Sequence, residues 1–205
     1  MQILEFDQSD EELFKKHRMG VITMGTDAAK IITEKTLRLS ASHMTVVYKK
    51  LAEIKYDVYD EIPSTYWMQR GTEMESYARN AYCLQTCKDV KEVGMVKTDD
   101  GRKGCSPDGI IMDFERIDSG VEIKCPSGTK QMQRLVENAV PPEYIPQIQG
   151  SMWITGAHKW DFYSWHPDMD SLLITVKRDD NYIERLSAMV EKVDVKIQRY
   201  LKELV

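Results

Sequence analysis

The chain has 205 residues, 42% hydrophobic and 30% charged, a composition expected to form one globular domain over residues 1–205 that buries about 70% of its unfolded surface. No apolar run approaches the roughly 20 residues of a membrane span, and the acidic start MQILEFDQSDEELFKK lacks the basic-then-apolar order of a signal peptide, so a cytoplasmic protein without a membrane partner is expected. A net charge of −5 excludes a generally basic nucleic-acid binder but not a local basic groove, and four cysteines (Cys83, Cys87, Cys105, Cys125) without a CxxC or Cys–His set read as buried free thiols rather than disulfides or a zinc site.

A helical pattern covers residues 10–18 and leads into the turn-like HRMGVITMGT. A second helix is predicted to begin near Thr26, capped by its hydroxyl, with Ala28, Ala29, Ile31 and Ile32 turned inward. Residues 44–54 read as a third helix, followed by a loop closed at Ile62-Pro63. Residues 66–86 repeat apolar positions at helical spacing, placing Met74, Tyr77, Ala78, Ala81 and Tyr82 on one side. Strands are predicted over 90–97, 104–114 and 120–125, joined by Asp- and Gly-rich turns at 98–101 and 117–120. After a helical or irregular stretch, residues 144–155 read as a helix with Pro146 in its first turn, then strands follow at 159–166 and 171–177. The chain closes with an amphipathic helix carrying Leu186, Val190, Val193, Ile197, Leu201 and Leu204 on one stripe. This order predicts an α/β (α+β) core, helices packed on a mixed central sheet.

The chemistry concentrates in Ser106-Pro107-Asp108-Gly109 and, one strand later, Val121-Glu122-Ile123-Lys124. Residues two apart on a strand share a face, so Glu122 and Lys124 project together while Val121 and Ile123 face the core. With Asp108 at the start of the preceding strand, two carboxylates and one ammonium converge at one end of a hairpin. Hard carboxylate oxygens suit Mg²⁺, with Mn²⁺ able to substitute, as one or two ions that activate water and clamp a phosphodiester. The Ile123 backbone carbonyl is a further candidate ligand, and Lys124 is a candidate to orient the water or, if desolvation lowers its pKa, to take its proton. A Glu-x-Lys triplet alone arises by chance about once in such a chain. Its weight comes from the SPDG string one hairpin upstream and the apolar residues around the charges.

GCSPDGIIMDF and GVEIKCP, followed by YIPQIQGSMWITG and WDFYSWHPDM, resemble the lambda-type phage exonucleases, or YqaJ-like viral recombinases, of the PD-(D/E)xK nuclease superfamily. The resemblance spans residues 18–182. It implies a restriction-endonuclease-like core and a Mg²⁺-dependent enzyme that digests one strand of linear duplex DNA from its 5′ end to mononucleotides, leaving a 3′ overhang for strand annealing. By this resemblance Asp108 and Glu122 are metal ligands, Lys124 is the catalytic lysine, Glu75 completes the metal site through water and Gln149 supports it. Tyr144 and Gln147 match with less defined roles. Arg18 matches an arginine that binds the terminal 5′-phosphate, and Met68 an apolar wedge at the duplex end, although a core methionine would look the same in sequence. Met24-Gly25 stands where the family commonly has Ala-Ser, which removes one hydroxyl from the phosphate pocket. The resemblance further implies a ring-shaped homotrimer, a single-strand annealing protein as partner and, for a phage protein, the bacterial host cytoplasm. Two alternatives stay open: an endonuclease on the same core, and a non-catalytic DNA-binding protein that keeps the fold.

Overall fold

The computed structural model describes residues 1–33, 35–60 and 65–204. Its elements run β1 (Gln2–Leu4), α1 (Glu11–Arg18), β2 (Ile22–Thr23), α2 (Thr26–Ile31), α3 (His43–Tyr56), α4 (Tyr66–Thr86), β3 (Met95–Lys97), β4 (Lys103–Cys105), β5 (Gly109–Asp113), β6 (Arg116–Lys124), α5 (Gly128–Glu137), α6 (Ile145–Thr155), β7 (Lys159–His166), β8 (Met169–Lys177) and α7 (Asp180–Glu203), with a single 3₁₀ turn at Pro142–Tyr144. Local chemistry fixes several helix starts. Asp10, Thr65, Ser127 and Asp179 each accept a backbone N–H of the first turn, a capping bond worth about 1 kcal/mol each.

The strands form two four-stranded mixed sheets. One has the order β1-β3-β4-β2, the other β5-β6-β7-β8, with β6 and β7 parallel at its centre. The link between them is Ser106-Pro107-Asp108. A continuous strand over 104–114 was the expectation, but Pro107 has no amide to give a ladder, so β4 ends at Cys105 and β5 begins at Gly109 in the other sheet. Asp108 therefore sits at the crossing between sheets.

The main core lies between the second sheet and helices α2, α3, α6 and α7, around Trp160, Phe162, Met152, Ile148, Leu186 and Val190. A smaller cluster, Ala78, Tyr82, Val121, Ile123 and Tyr163, packs α4 on the opposite face of β6 and β7. That split follows the period of two in β6: Val121 and Ile123 face α4, Glu122 and Lys124 face the other way.

Several expectations are corrected. Residues 117–120 lie inside β6, and the reversal falls at Phe114 (φ 54°) and Glu115 instead. Gly120 is required for packing: a Cβ there would come within 2.3 Å of the Trp160 ring. The 90–97 strand shrinks to Met95–Lys97, with Lys91 making an isolated bridge to Ile110. The strand β1, which pairs with β3, and the two-residue β2 were not foreseen. Thr26 does not cap α2; Gly25 occupies the cap, and the Thr26 hydroxyl lies 3.3 Å from that of Thr23. Ala29, Tyr77 and Leu204 are exposed, whereas Ala28, Ala78 and Ile197 carry the buried stripes of their helices. The cysteines are free, but only Cys105 is buried, and Cys87 is the exposed C-cap of α4. The Ile62-Pro63 closure lies outside the described residues. Among the described residues no helix is long and apolar enough to cross a membrane.

Candidate active site

The C-terminal end of β6 outruns its neighbour. β5 pairs with it only as far as Gly109↔Val121, so Glu122, Ile123 and Lys124 are paired on the β7 side alone. The vacated side is filled by Asp108, whose Oδ2 accepts the Ile123 amide at 2.6 Å. In a strand the N–H and C=O of one residue point the same way, so the Ile123 carbonyl also faces Asp108.

Around this strand end opens a cleft of about 740 Å³ lined by Asp108, Glu122, Ile123, Lys124 and Glu75, with Arg18 and Met68 on its other walls. Glu122 is buried. One of its oxygens pairs with the Lys124 ammonium and the other accepts the Gln147 side-chain amide at 2.7 Å. Lys124 also lies over the Tyr144 ring, 5.4 Å from its centre. Glu75 reaches the cleft from α4 and is clamped by Arg79 at 2.5 Å; the same guanidinium donates to the Asp108 carbonyl at 2.8 Å and pairs with Glu92 at 2.6 Å. Arg79 thus joins α4 to the crossing between the sheets, a link with no sequence signal beyond its i,i+4 spacing from Glu75.

The electrostatics are those of crowded carboxylates. Burial, then the charge of Asp108, pushes Glu75 up to about 7 against the pull of Arg79 and Lys124. Burial also drives Glu122 upward, aided by Asp108 and Glu75 and opposed by Lys124. Burial alone would lower Lys124, but the charges of Glu122 and Asp108 and the hydrogen bond to Glu122 outweigh it and hold the amine above its usual value. Lys124 is therefore held as an ammonium, and the lowered pKa on which its role as proton acceptor is conditional is not found.

The donor set fits a hard cation. Among the described residues no three or more His, Cys, Asp or Glu side chains are grouped as a metal cluster; what converges is two carboxylates and a backbone oxygen, with Glu75 lining the same cleft. Mg²⁺ favours such a sparse oxygen set because it keeps several of its waters, and the repulsion that adds to burial in raising Glu75 and Glu122 is what a cation would relieve.

Of the other expected site residues, Arg18 stands at the end of α1 with its guanidinium over the Phe14 ring at 4.7 Å and no carboxylate partner among the described residues. Thr23, Gly25 and Thr26 line the same part of the cleft. Met68 is 52% exposed at the cleft mouth beside Trp67, which removes the core reading. Gln149 is not in the cleft. Two residues along α6 from Gln147 is about 200° around the helix, and Gln149 instead donates to the Lys177 carbonyl at 2.9 Å and accepts the Asp179 amide at 3.0 Å, bridging β8 to α7. Gln147 is the glutamine that touches the site. Ser106, whose buried hydroxyl has no hydrogen-bond partner among the described residues, also lines the cleft and was passed over within the SPDG string.

A carboxylate and a lysine at the end of a central strand, met by a second carboxylate from the link before the adjoining strand, define a nuclease of the PD-(D/E)xK type. The chain belongs to the YqaJ-like viral recombinase domain family, whose pattern matches residues 13–158. It is similar to the crystal structure of an alkaline exonuclease (LHK-Exo) from Laribacter hongkongensis, at 27% identity and a TM-score of 0.77 over 94% of this chain and 96% of that one. A structure of LHK-Exo in complex with dAMP gives 28% identity and a TM-score of 0.76 over 95% and 100%. A phage-related exonuclease from Haemophilus somnus 129PT shares the fold at 14% identity, with a TM-score of 0.70 over 90% and 96%. No curated protein matches the chain in sequence. The chain is an exonuclease-type deoxyribonuclease.

Proposed function

We propose that the protein is a Mg²⁺-dependent exonuclease that digests one strand of linear duplex DNA from its 5′ end, releasing mononucleotides and leaving a 3′ overhang. The observation that carries this reading is the meeting of Asp108, Glu122 and Lys124 at the free end of β6 in a cleft that also holds the Arg18 guanidinium. Asp108, Glu122 and the Ile123 carbonyl would hold a divalent cation, with Glu75 reaching it through water, and the ion would supply the activated water and the charge that phosphodiester hydrolysis needs. Lys124, protonated, orients the attacking water and offsets charge on the phosphate oxygens. Gln147 fixes the Glu122 carboxylate. Arg18 faces the terminal 5′-phosphate, a dianion that a planar guanidinium binds through two parallel hydrogen bonds, and Met68 meets the end of the duplex. The dAMP bound by LHK-Exo supports mononucleotide release.

The family resemblance extends the proposal to a homotrimer ring around the DNA and a single-strand annealing protein that receives the overhang. Digestion of end-labelled linear duplex, with and without Mg²⁺, tests polarity and product size together. Labelled 5′-mononucleotide appearing first, in Mg²⁺ only, is expected. Degradation of covalently closed circular duplex, or release from the 3′ end first, overturns the reading.

A further inference from the structure

Behind the Arg18 wall of the cleft lies a buried charge triad with no part in the chemistry above. Asp27, Lys50 and Glu53 are 2%, 2% and 3% exposed. The Lys50 ammonium lies between the two carboxylates, 3.4 Å from Asp27 Oδ2 and 3.0 Å from Glu53 Oε2. Charges are taken out of water only where partners compensate them, and among the described residues every further partner but one lies on a single segment. Asp27 accepts the Thr23 amide at 2.9 Å and the Thr23 hydroxyl at 3.0 Å; Glu53 accepts the Gly20 amide at 2.8 Å. The exception is Lys49, 3.7 Å from Glu53.

That segment, residues 18–27, supplies Arg18, Thr23, Gly25 and Thr26 to the cleft. Its other anchors are the buried side chains of Val21, Ile22 and Met24 and the backbone bonds of Ile22 and Met24 to the Arg102 and Gly104 carbonyls. Its strand, β2, has two ladder positions, and Gly20, at φ 71°, lies so close to α3 that a Cβ would come within 2.8 Å of Ile54. A guanidinium binds phosphate through two parallel bonds only when its backbone is fixed, since a displacement of about 1 Å breaks the pairing.

We propose that Lys50 is a positioning residue for the 5′-phosphate: by holding Asp27 and Glu53 it fixes the Gly20–Thr23 backbone on α3 and so sets the place of Arg18. The proposal rests on the reading of Arg18 as the phosphate ligand. Lys50→Met alone would leave two buried carboxylates facing each other, so the informative variant is Lys50→Met/Glu53→Gln, which keeps the buried charge balance. Gly20→Ala serves as an independent second variant, pushing the same segment off α3 with no change in charge.

The readout is kcat/KM on linear duplex with 5′-phosphate ends divided by that with 5′-hydroxyl ends, in Mg²⁺, with Arg18→Ala setting the scale. Both variants are expected to lower this ratio by about tenfold or more, through a higher KM on the phosphorylated duplex, while the rate on the hydroxyl duplex changes far less. Folded variants that keep the wild-type ratio, when Arg18→Ala loses it, overturn the role of Lys50 alone. A wild-type enzyme that treats both ends equally overturns the phosphate reading and the proposal with it.

Discussion

Asp108 lies in the link between β4 and β5 and Ile123 lies in β6, and the carboxylate of one caps the amide of the other at 2.6 Å where β5 stops and β6 continues. The bond does two things. It satisfies a backbone donor left without a ladder partner, and it fixes the Asp108 side chain beside Glu122 and the Ile123 carbonyl.

Asp108→Asn separates these two effects. The amide oxygen still accepts from Ile123, but the charge is gone. Nucleotide release from linear duplex in Mg²⁺ is expected to fall by about a hundredfold or more, roughly 3 kcal/mol of transition-state stabilisation, with the thermal midpoint within about 4 °C of wild type. Full activity would remove Asp108 from the site.

Lys124→Ala leaves the buried Glu122 with only the Gln147 amide. Hydrolysis is expected to fall by about a hundredfold or more, while Mg²⁺ binding, followed by calorimetry, persists because the oxygen donors are intact. A variant that cleaves at the wild-type rate contradicts the role given to the ammonium.

Gln147 and Gln149 are expected to fail in opposite ways. Gln149→Ala strands the Lys177 carbonyl and the Asp179 amide, costing about 1–3 kcal/mol in the denaturant midpoint, with turnover per folded molecule preserved. Gln147→Ala frees one Glu122 oxygen and is expected to lower turnover with little loss of stability. The reverse pattern would restore the sequence-based assignment of Gln149.

The raised carboxylates set a pH dependence. Glu75 titrates near 7 in the folded protein against 4.5 as the reference, and Glu122 is shifted the same way. The folded state therefore holds more protons than the unfolded one between about pH 4.5 and 7, so without a divalent cation these groups make stability fall as pH rises through that window. Mg²⁺ competes with the same protons, so its stabilising effect in thermal melts is expected to be larger at pH 8 than at pH 6. Glu75→Gln is expected to flatten the cation-free slope; an unchanged slope excludes Glu75 as its source.

The sequence made the chemistry more legible than the topology. Period-two alternation placed Glu122 and Lys124 on one face, and helical spacing located α1, α4 and α7 closely. What was hidden depended on contacts between distant residues. Gly120 looks like a turn residue until Trp160 is seen lying on it. The three-residue β1 is too short to show a period and exists through its pairing with β3. Gln149 and Gln147 both look polar on one helix, and only the helix's orientation decides which meets Glu122. In the Asp27–Lys50–Glu53 triad only the Lys50–Glu53 pair has helical spacing; Asp27 joins it from more than twenty positions away, with no local signal.

Because Ser106-Pro107-Asp108 passes from one sheet to the other, the reactive groups are assembled across a seam. Asp108 takes its position from that crossing, Arg18 leads into a strand of the first sheet, and Glu122 and Lys124 belong to the second. A small slide of one sheet on the other separates these groups while leaving every strand and helix whole. On warming, inactivation should accordingly precede any loss of helical content, and whatever braces the seam from outside will preserve turnover more than it preserves folding.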